Sequence, residues 1–347
     1  MTEGSEINIA GRRVGALHPC YIIAEACDNH VGDLAVAKEM VRQAKLAGAD
    51  AVKFQHHLPD EEMLPDVPMS DNFQVPLYDY LQKVALALAD HRELKNFCES
   101  VNIQYLCTPF SWKAAQELES IGVAAYKIGS GEMTDIPTLV RIATFGKPIM
   151  ISTGMATVAE IDRTYRALLT RGAPLALLHC VSEYPPVYED MNLRVIGEMA
   201  ERFPRAVIGH SDHTPDLYTS FAAVTLGARI IEKHVILDKR SNVPDQSVSI
   251  DFRDLADLVD GIRRIEAALG NRKVIHDRER QIRAWAFRSI VSTRAIAKGE
   301  VVTQDMIWSK RPGTGIPAYR MDEVIGKIAV TDIPANTLLA WSQLEQA

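Results

Sequence analysis

The 347-residue sequence is poor in cysteine, in excess positive charge and in long apolar runs, and each shortage removes a class of protein. Its five cysteines, Cys20, Cys27, Cys98, Cys107 and Cys180, are odd in number and form no Cys-x-x-Cys pair. A disulfide framework or a thiolate zinc site is therefore not expected, and a reducing, cytoplasmic location is the simplest one. Asp and Glu (45) outnumber Lys and Arg (38), giving a formal net charge of −7. A dedicated nucleic-acid binder would carry a basic face, so no nucleic-acid partner is expected. A locally basic pocket for an anionic substrate stays open. No run approaches the ~18 apolar residues of a membrane span. The first fifteen residues lack the apolar centre of a signal peptide, and no membrane partner is expected.

What is present is a repeating unit. From Tyr21 onward, short apolar runs alternate with segments of helical periodicity. Strand-like runs lie at 21–26, 51–54, 103–108, 124–128, 148–152, 174–180, 206–209 and 228–231. Helical segments lie at 34–47, 90–100, 111–121, 136–144, 158–170, 193–202, 215–226 and 252–269, with Asp90 and Ser111 as N-caps and Gly48 as a C-cap. Strict alternation over about 250 residues is the pattern of a TIM (β/α)8 barrel. A doubly wound open sheet is the runner-up, but it would gather its polar clusters at one switch point. Here polar clusters follow nearly every strand. Residues 1–14 read as a short hairpin or lid, and 56–80 as a long polar insertion. Residues 1–270 form the barrel, 271–286 a charged linker, and 287–347 a small β-rich domain.

In a TIM barrel the post-strand clusters face one mouth. They bring together Glu25, Asp28, Asn29, His30, Lys53, Gln55, Thr108, Lys127, Ser130, Glu132, Ser152, Thr153, His179, Ser182, Tyr184, Ser211, Asp212, His213, Glu232 and His234. Lysines are rarely buried without a partner, so Lys53 and Lys127 point to an anion, with hydroxyls and close-approaching glycine backbone completing the clamp. His213 and His234, at matching places on successive strands, suit a divalent ion that keeps open positions. Glu132 is either a proton-transfer group or an acid at a helix start, and the spacing leaves both readings standing. Lys127 as a Schiff-base lysine is the other use of that residue.

The segments IIAEACDNHVGD, AGADAVKFQ, AAYKIGSGEM, PIMISTGMAT, HCVSEYPP, IGHSDHT and IIEKHVILDK, in that order, resemble the bacterial sialic acid synthase family. That family includes N-acetylneuraminate, legionaminate and pseudaminate synthases. The tail FRSIVSTRAIAKGEVVTQDMIWSKRPGTGIP resembles its antifreeze-like (SAF) domain. The resemblance implies a TIM barrel plus SAF domain in a homodimer with swapped SAF domains. It implies a transferase that condenses phosphoenolpyruvate with an N-acetylated hexosamine, either N-acetylmannosamine or a 2,4-diacetamido-dideoxyhexose, to a nine-carbon 2-keto acid and phosphate. It assigns Lys53, Thr108, Lys127, Ser130, Ser152, Ser182 and Ser211 to phosphoenolpyruvate. Gln55, Glu132, Tyr184 and Asp245 go to the sugar, with Arg311 reaching it from the partner subunit. His213 and His234 go to a metal, Mn2+ first, with Mg2+ or Co2+ as alternatives. Glu132 is the expected proton-handling group, with Glu25 and Glu232 as supporting catalytic carboxylates.

Departures from the family pattern fall at Val31, where the usual Asn-His-Asn-Gly reads Asn29-His30-Val31-Gly32, at Gln246 in Val243-Pro244-Asp245-Gln246, and at Ser182. They leave the acceptor sugar open. Two other readings compete: a barrel enzyme condensing a sugar phosphate, disfavoured by the tail, and a non-catalytic sugar-binding or spore-coat-type protein on the same scaffold.

Overall fold

The computed structural model describes residues 5–68 and 75–346, so part of the polar insertion read at 56–80 lies outside the described residues. The chain divides into two compact units, residues 1–270 and 271–347. The first opens on an antiparallel hairpin, β1 (Glu6–Ile9) and β2 (Arg12–Gly15). Eight strands follow: β3 (Tyr21–Glu25), β4 (Ala51–His56), β5 (Gln104–Pro109), β6 (Tyr126–Ile128), β7 (Ile149–Ser152), β8 (Leu175–Cys180), β9 (Ala206–Asp212) and β10 (Ile230–His234). They form a parallel sheet in the order β5-β4-β3-β10-β9-β8-β7-β6. β5 comes back against β6, which makes the sheet a nearly closed TIM barrel.

The alternation of a strand sorts each side chain to one of two layers. Odd-numbered positions of β3 and β4, such as Tyr21, Ile23 and Ala51, face inward with Leu106, Met150, Ala176, Val207 and Ile230. Even-numbered positions, Ile22, Val52 and Phe54 among them, pack outward against the helices. The inner layer is also lined by Ile7, Ile9 and Val14 of the hairpin. The hairpin expected as a hairpin or lid is therefore a floor, sealing the end of the barrel where the strands begin.

Helix ends follow local chemistry. Asp33 accepts from the Ala35 and Val36 amides to start the helix Leu34–Ala47, and Gly48, at φ +87°, ends it in the left-handed conformation that glycine tolerates best. Ser111 accepts from the Ala114 amide at 3.1 Å to start Trp112–Ser120. Asp90 is not an N-cap. Its helix begins earlier, at Leu88–Ser100, and the Asp90 carboxylate reaches back from the first turn to accept from the Ala87 amide at 3.1 Å. An acid inside the first turn serves the exposed amides nearly as well as one before it.

The second unit pairs β11 (Ser289–Ser292) with β12 (Ile307–Lys310) and β13 (Ile328–Ala329) with β14 (Leu344–Glu345), all antiparallel. Its core is Ile290, Ile296, Val302, Ile307, Ile316, Val324, Ile333 and Leu339. The stretch 271–286, read as a linker, carries an exposed helix, Asp277–Ala286.

Candidate active site

The strands run further into the polar clusters than their apolar runs indicate. β4 continues to His56, and β9 to Asp212. Continuation keeps the two-residue alternation in force. Lys53 and Gln55 follow Ala51 inward, and Glu232 and His234 follow Ile230. Asp212 and Lys233 instead face the helices as a fully buried ion pair, Lys233 Nζ to Asp212 Oδ2 at 3.1 Å. The Thr219 and Ser220 hydroxyls donate to the same carboxylate at 2.7 and 2.6 Å.

The inward groups line a cavity of about 470 Å3 that contains the expected site residues of the barrel, from Glu25 to Asp245, except four. Asp212 faces the helices; His30 accepts from the Gly32 amide at 3.0 Å, Thr153 Oγ1 donates to the Leu178 carbonyl at 3.0 Å, and His179 Nε2 lies 2.7 Å from the Met191 carbonyl, so local backbone contacts turn these three away from the mouth. Arg311 belongs to the second unit, where its Nε donates to the Ala286 carbonyl at 3.1 Å and its guanidinium lies 5.2 Å from the Trp285 ring centre.

Two lysines hold the floor of the cavity, and both are at most 3% exposed. Lys53 Nζ lies 2.7 Å from Glu25 Oε2 and donates to Thr108 Oγ1 at 2.9 Å. Lys127 Nζ donates to Ser152 Oγ at 2.7 Å and to the Ile128 carbonyl at 3.1 Å. Glu232 is shared between them, 3.3 Å from Lys127 and 3.9 Å from Lys53, and accepts from Ser211 Oγ at 3.0 Å. Burial alone would raise Glu232, but Lys127 and Lys53 outweigh it and hold the carboxyl below the usual range. Glu25 goes the other way, raised by burial and by the charge of Glu232 against the pull of Lys53. Gln55 Nε2 donates to Glu25 at 3.0 Å.

Above the lysines the backbone is cut away. A Cβ on Gly154 would stand 2.1 Å from Ser182 Oγ and 2.9 Å from Ser130 Oγ, and the Gly154 amide donates to Ser130 Oγ at 3.0 Å. A Cβ on Gly129 would lie 2.5 Å from Glu132 Oε2. That oxygen is buried and has no hydrogen-bond partner among the described residues. Burial raises Glu132 to about 7, where a carboxyl can give or take a proton at neutral pH.

Across the mouth the His213 and His234 rings lie 5.1 Å apart, edge to face, and Tyr184 stacks on His213 at 4.4 Å. His213 Nδ1 sits 2.9 Å from the Val181 carbonyl. That contact requires the proton on Nδ1 and leaves Nε2 with a free lone pair. Burial and His234 keep His213 neutral, pushing it down to about 3. Asp245, assigned to the sugar by resemblance, has its Oδ2 3.5 Å from His234 Nδ1.

Sequence reasoning missed His57, Glu62 and Phe110 on the cavity wall. His57 Nδ1 contacts Glu62 Oε1 at 2.9 Å, its Nε2 lies 3.0 Å from Gln55 Oε1 and 3.7 Å from Asp28 Oδ2, and its ring stacks on Phe110 at 4.2 Å. Burial raises Asp28 to about 6. No periodicity marks His57 and Glu62, because they sit in the insertion after β4. The only sequence signal was the place of His57 immediately past a strand end; Glu62 follows at the end of the short helix Pro59–Glu62.

Residues 40–274 match the model of the NeuB family, and residues 287–345 match that of the SAF domain. The chain belongs to the NeuB family. It is 36% identical to the N,N'-diacetyllegionaminic acid synthase of Campylobacter jejuni, over 92% of this chain and 98% of that one. Among solved structures, this NeuB family member is similar to the N-acetylneuraminic acid synthetase of Leptospira borgpetersenii (TM-score 0.73, 31% identity, 80% of this chain and 95% of that one). It is also similar to the spore coat polysaccharide biosynthesis protein SpsE of Bacillus subtilis (TM-score 0.68, 33% identity, 99% and 100%). Among its described residues no helix is long and apolar enough to cross a membrane.

Proposed function

We propose that the protein is a nonulosonic acid synthase, condensing phosphoenolpyruvate with the open-chain aldehyde of an N-acetylated hexosamine to give a nine-carbon 2-keto acid and phosphate. The observation that carries this reading is the pair of buried lysines, 53 and 127, each with a hydroxyl partner, beneath a serine-lined recess that only glycine at 154 leaves open. One lysine serves the carboxylate of phosphoenolpyruvate and the other its phosphate. Ser130, Ser152, Ser182 and the Gly154 amide surround the anion, and Thr108 and Ser211 orient the lysines and Glu232.

The residues opposite fit a divalent ion, Mn2+ by family resemblance. His213 presents a bare Nε2, and His234 Nδ1 is buried without a hydrogen bond among the described residues. An ion held there would supply Lewis-acid polarisation of the aldehyde oxygen. The chain does the rest. Tyr184, Gln55 and Asp245 position the aldehyde so that its carbon meets the methylene carbon of phosphoenolpyruvate. Glu132, raised by burial so that its protonated form is populated at neutral pH, gives its proton to the oxygen that becomes the new hydroxyl. Water then adds to the cationic carbon bearing the phosphate ester, and phosphate leaves with the C–O bond. Glu25 and Glu232 balance the lysine charges throughout, and no covalent enzyme intermediate is required. Arg311 would approach the sugar from the partner subunit of a homodimer. Phosphate release tests the reading directly: incubation with phosphoenolpyruvate, Mn2+ and a panel of N-acetylated hexosamines should liberate phosphate with at least one. Silence with all of them removes the enzymatic reading.

A further inference from the structure

Cys27 lies just past β3, next to Asp28 of the cavity wall, and is 1% exposed. Its φ of +39° is in the left-handed region, unusual for a residue with a side chain. The ligand atoms of Cys27, His234 and Asp245 all lie within 4.8 Å of one another. Metal–sulfur and metal–nitrogen bonds of about 2.3 and 2.0–2.1 Å place tetrahedral ligands roughly 3.5 Å apart, so side-chain movements of about 1 Å bring the three onto one ion. His234 is 5% exposed, and its Nδ1 makes no hydrogen bond among the described residues, reaching Asp245 Oδ2 only at 3.5 Å. Burying a polar nitrogen without a partner is costly, and a ligand supplies the missing interaction.

We propose that Cys27 is a thiolate ligand of the metal, making the centre Cys27, Asp245, His234 and His213 rather than two histidines alone. The inference rests on the metal reading above and deepens it; it moves Asp245 from the sugar to the metal and leaves Tyr184 and Gln55 on the aldehyde. On binding, the thiol proton leaves to solvent and a metal–sulfur bond forms, with no change of oxidation state. A thiolate is a soft donor, and adding one to imidazole and carboxylate favours Zn2+ and Co2+ over Mn2+ and Mg2+. The centre would then select thiophilic ions, in contrast to the Mn2+ expected from resemblance.

The test uses the full-length chain, metal-free and reduced, titrated with Co2+ and followed by absorption. The expected result is a sulfur-to-cobalt charge-transfer band in the near ultraviolet together with visible ligand-field bands. In Cys27→Ser and Cys27→Gly the charge-transfer band disappears while the ligand-field bands remain. Glycine is the conformationally safe variant because it accepts a positive φ without strain. Zn2+ affinity should fall by roughly tenfold or more in Cys27→Ser, with Mn2+ affinity little changed. Ligand-field bands without a charge-transfer band in the unaltered protein, or a band that persists in both variants, would overturn the assignment of Cys27 and leave the two-histidine site standing. No Co2+ bound at all would overturn the metal reading and this inference with it.

Discussion

Replacing Glu232 with glutamine keeps the shape of the side chain and removes the negative charge that two lysines share. The carboxylate lies 3.3 Å from Lys127 Nζ and 3.9 Å from Lys53 Nζ, and none of the three side chains is more than 4% exposed. Removing one partner from a buried ion pair costs ~3–5 kcal/mol. Lys53 keeps Glu25 at 2.7 Å, whereas Lys127 keeps only Ser152 Oγ and a carbonyl. The loss therefore falls on one lysine, and the lower figure, ~3 kcal/mol, applies. At about 2–4 °C per kcal/mol for a domain of this size, Tm should fall by ~6–12 °C. An anion in the clamp would replace the missing charge. Added phosphoenolpyruvate should raise the Tm of Glu232→Gln by more than it raises that of the unaltered protein. Scanning calorimetry with and without phosphoenolpyruvate checks both statements. An unchanged Tm, or a fall that phosphoenolpyruvate corrects no better in the variant, would refute the picture of Glu232 as the resident counter-charge of an anion clamp.

Three further outcomes follow from the same geometry. Gly154→Ala places a methyl group against Ser182 and Ser130; KM for phosphoenolpyruvate should rise by at least ~tenfold while circular dichroism stays unchanged, since one clash in the recess outweighs a single hydrogen bond. Glu132, raised to about 7 by burial, acts in its protonated form, so kcat should fall as pH rises through about 7, and Glu132→Gln should lose that limb as well as most of the rate. Lys233→Met leaves the buried Asp212 charge with hydroxyl and amide partners and the His210 ring at 3.8 Å; calorimetry should register a loss of ~3 kcal/mol, because a buried charge is left without its cation.

The barrel was legible because its signal is periodic and long. Each barrel strand and the main helix after it announced itself, and most strand-end clusters fell at one mouth as the topology requires; the helices Pro59–Glu62 and Leu77–Val84 of the region read as a polar insertion and Asp277–Ala286 of the stretch read as a linker did not, because their apolar positions are too few to show a period. What the sequence concealed was where strands stop. AVKF and AVIG looked complete at Phe54 and Gly209, yet β4 and β9 continue to His56 and Asp212. Backbone pairing with the neighbouring strand, not apolar character, sets those ends. The same continuation explains why Asp212 and Lys233, next to functional residues in sequence, turn their backs on the cavity. Asp90 misled because an acid one turn into a helix and an acid before it satisfy the same amides. His57 and Glu62 were invisible as cavity residues, since a loop residue and a four-residue helix carry no period from which a direction can be read. The hairpin was visible as a hairpin, but its burial under the barrel depended on Ile7, Ile9 and Val14 meeting strands far away in sequence.

The central claim is that this cavity joins phosphoenolpyruvate to a sugar aldehyde and expels phosphate by C–O cleavage. It is tested most directly with phosphoenolpyruvate carrying heavy oxygen at the bridging position, turned over with an N-acetylated hexosamine and analysed by mass spectrometry. The account predicts a nine-carbon 2-keto acid, with the heavy oxygen recovered in the released phosphate. Heavy oxygen retained by the keto acid would show P–O cleavage and contradict the mechanism, and the absence of any nine-carbon product would contradict the function.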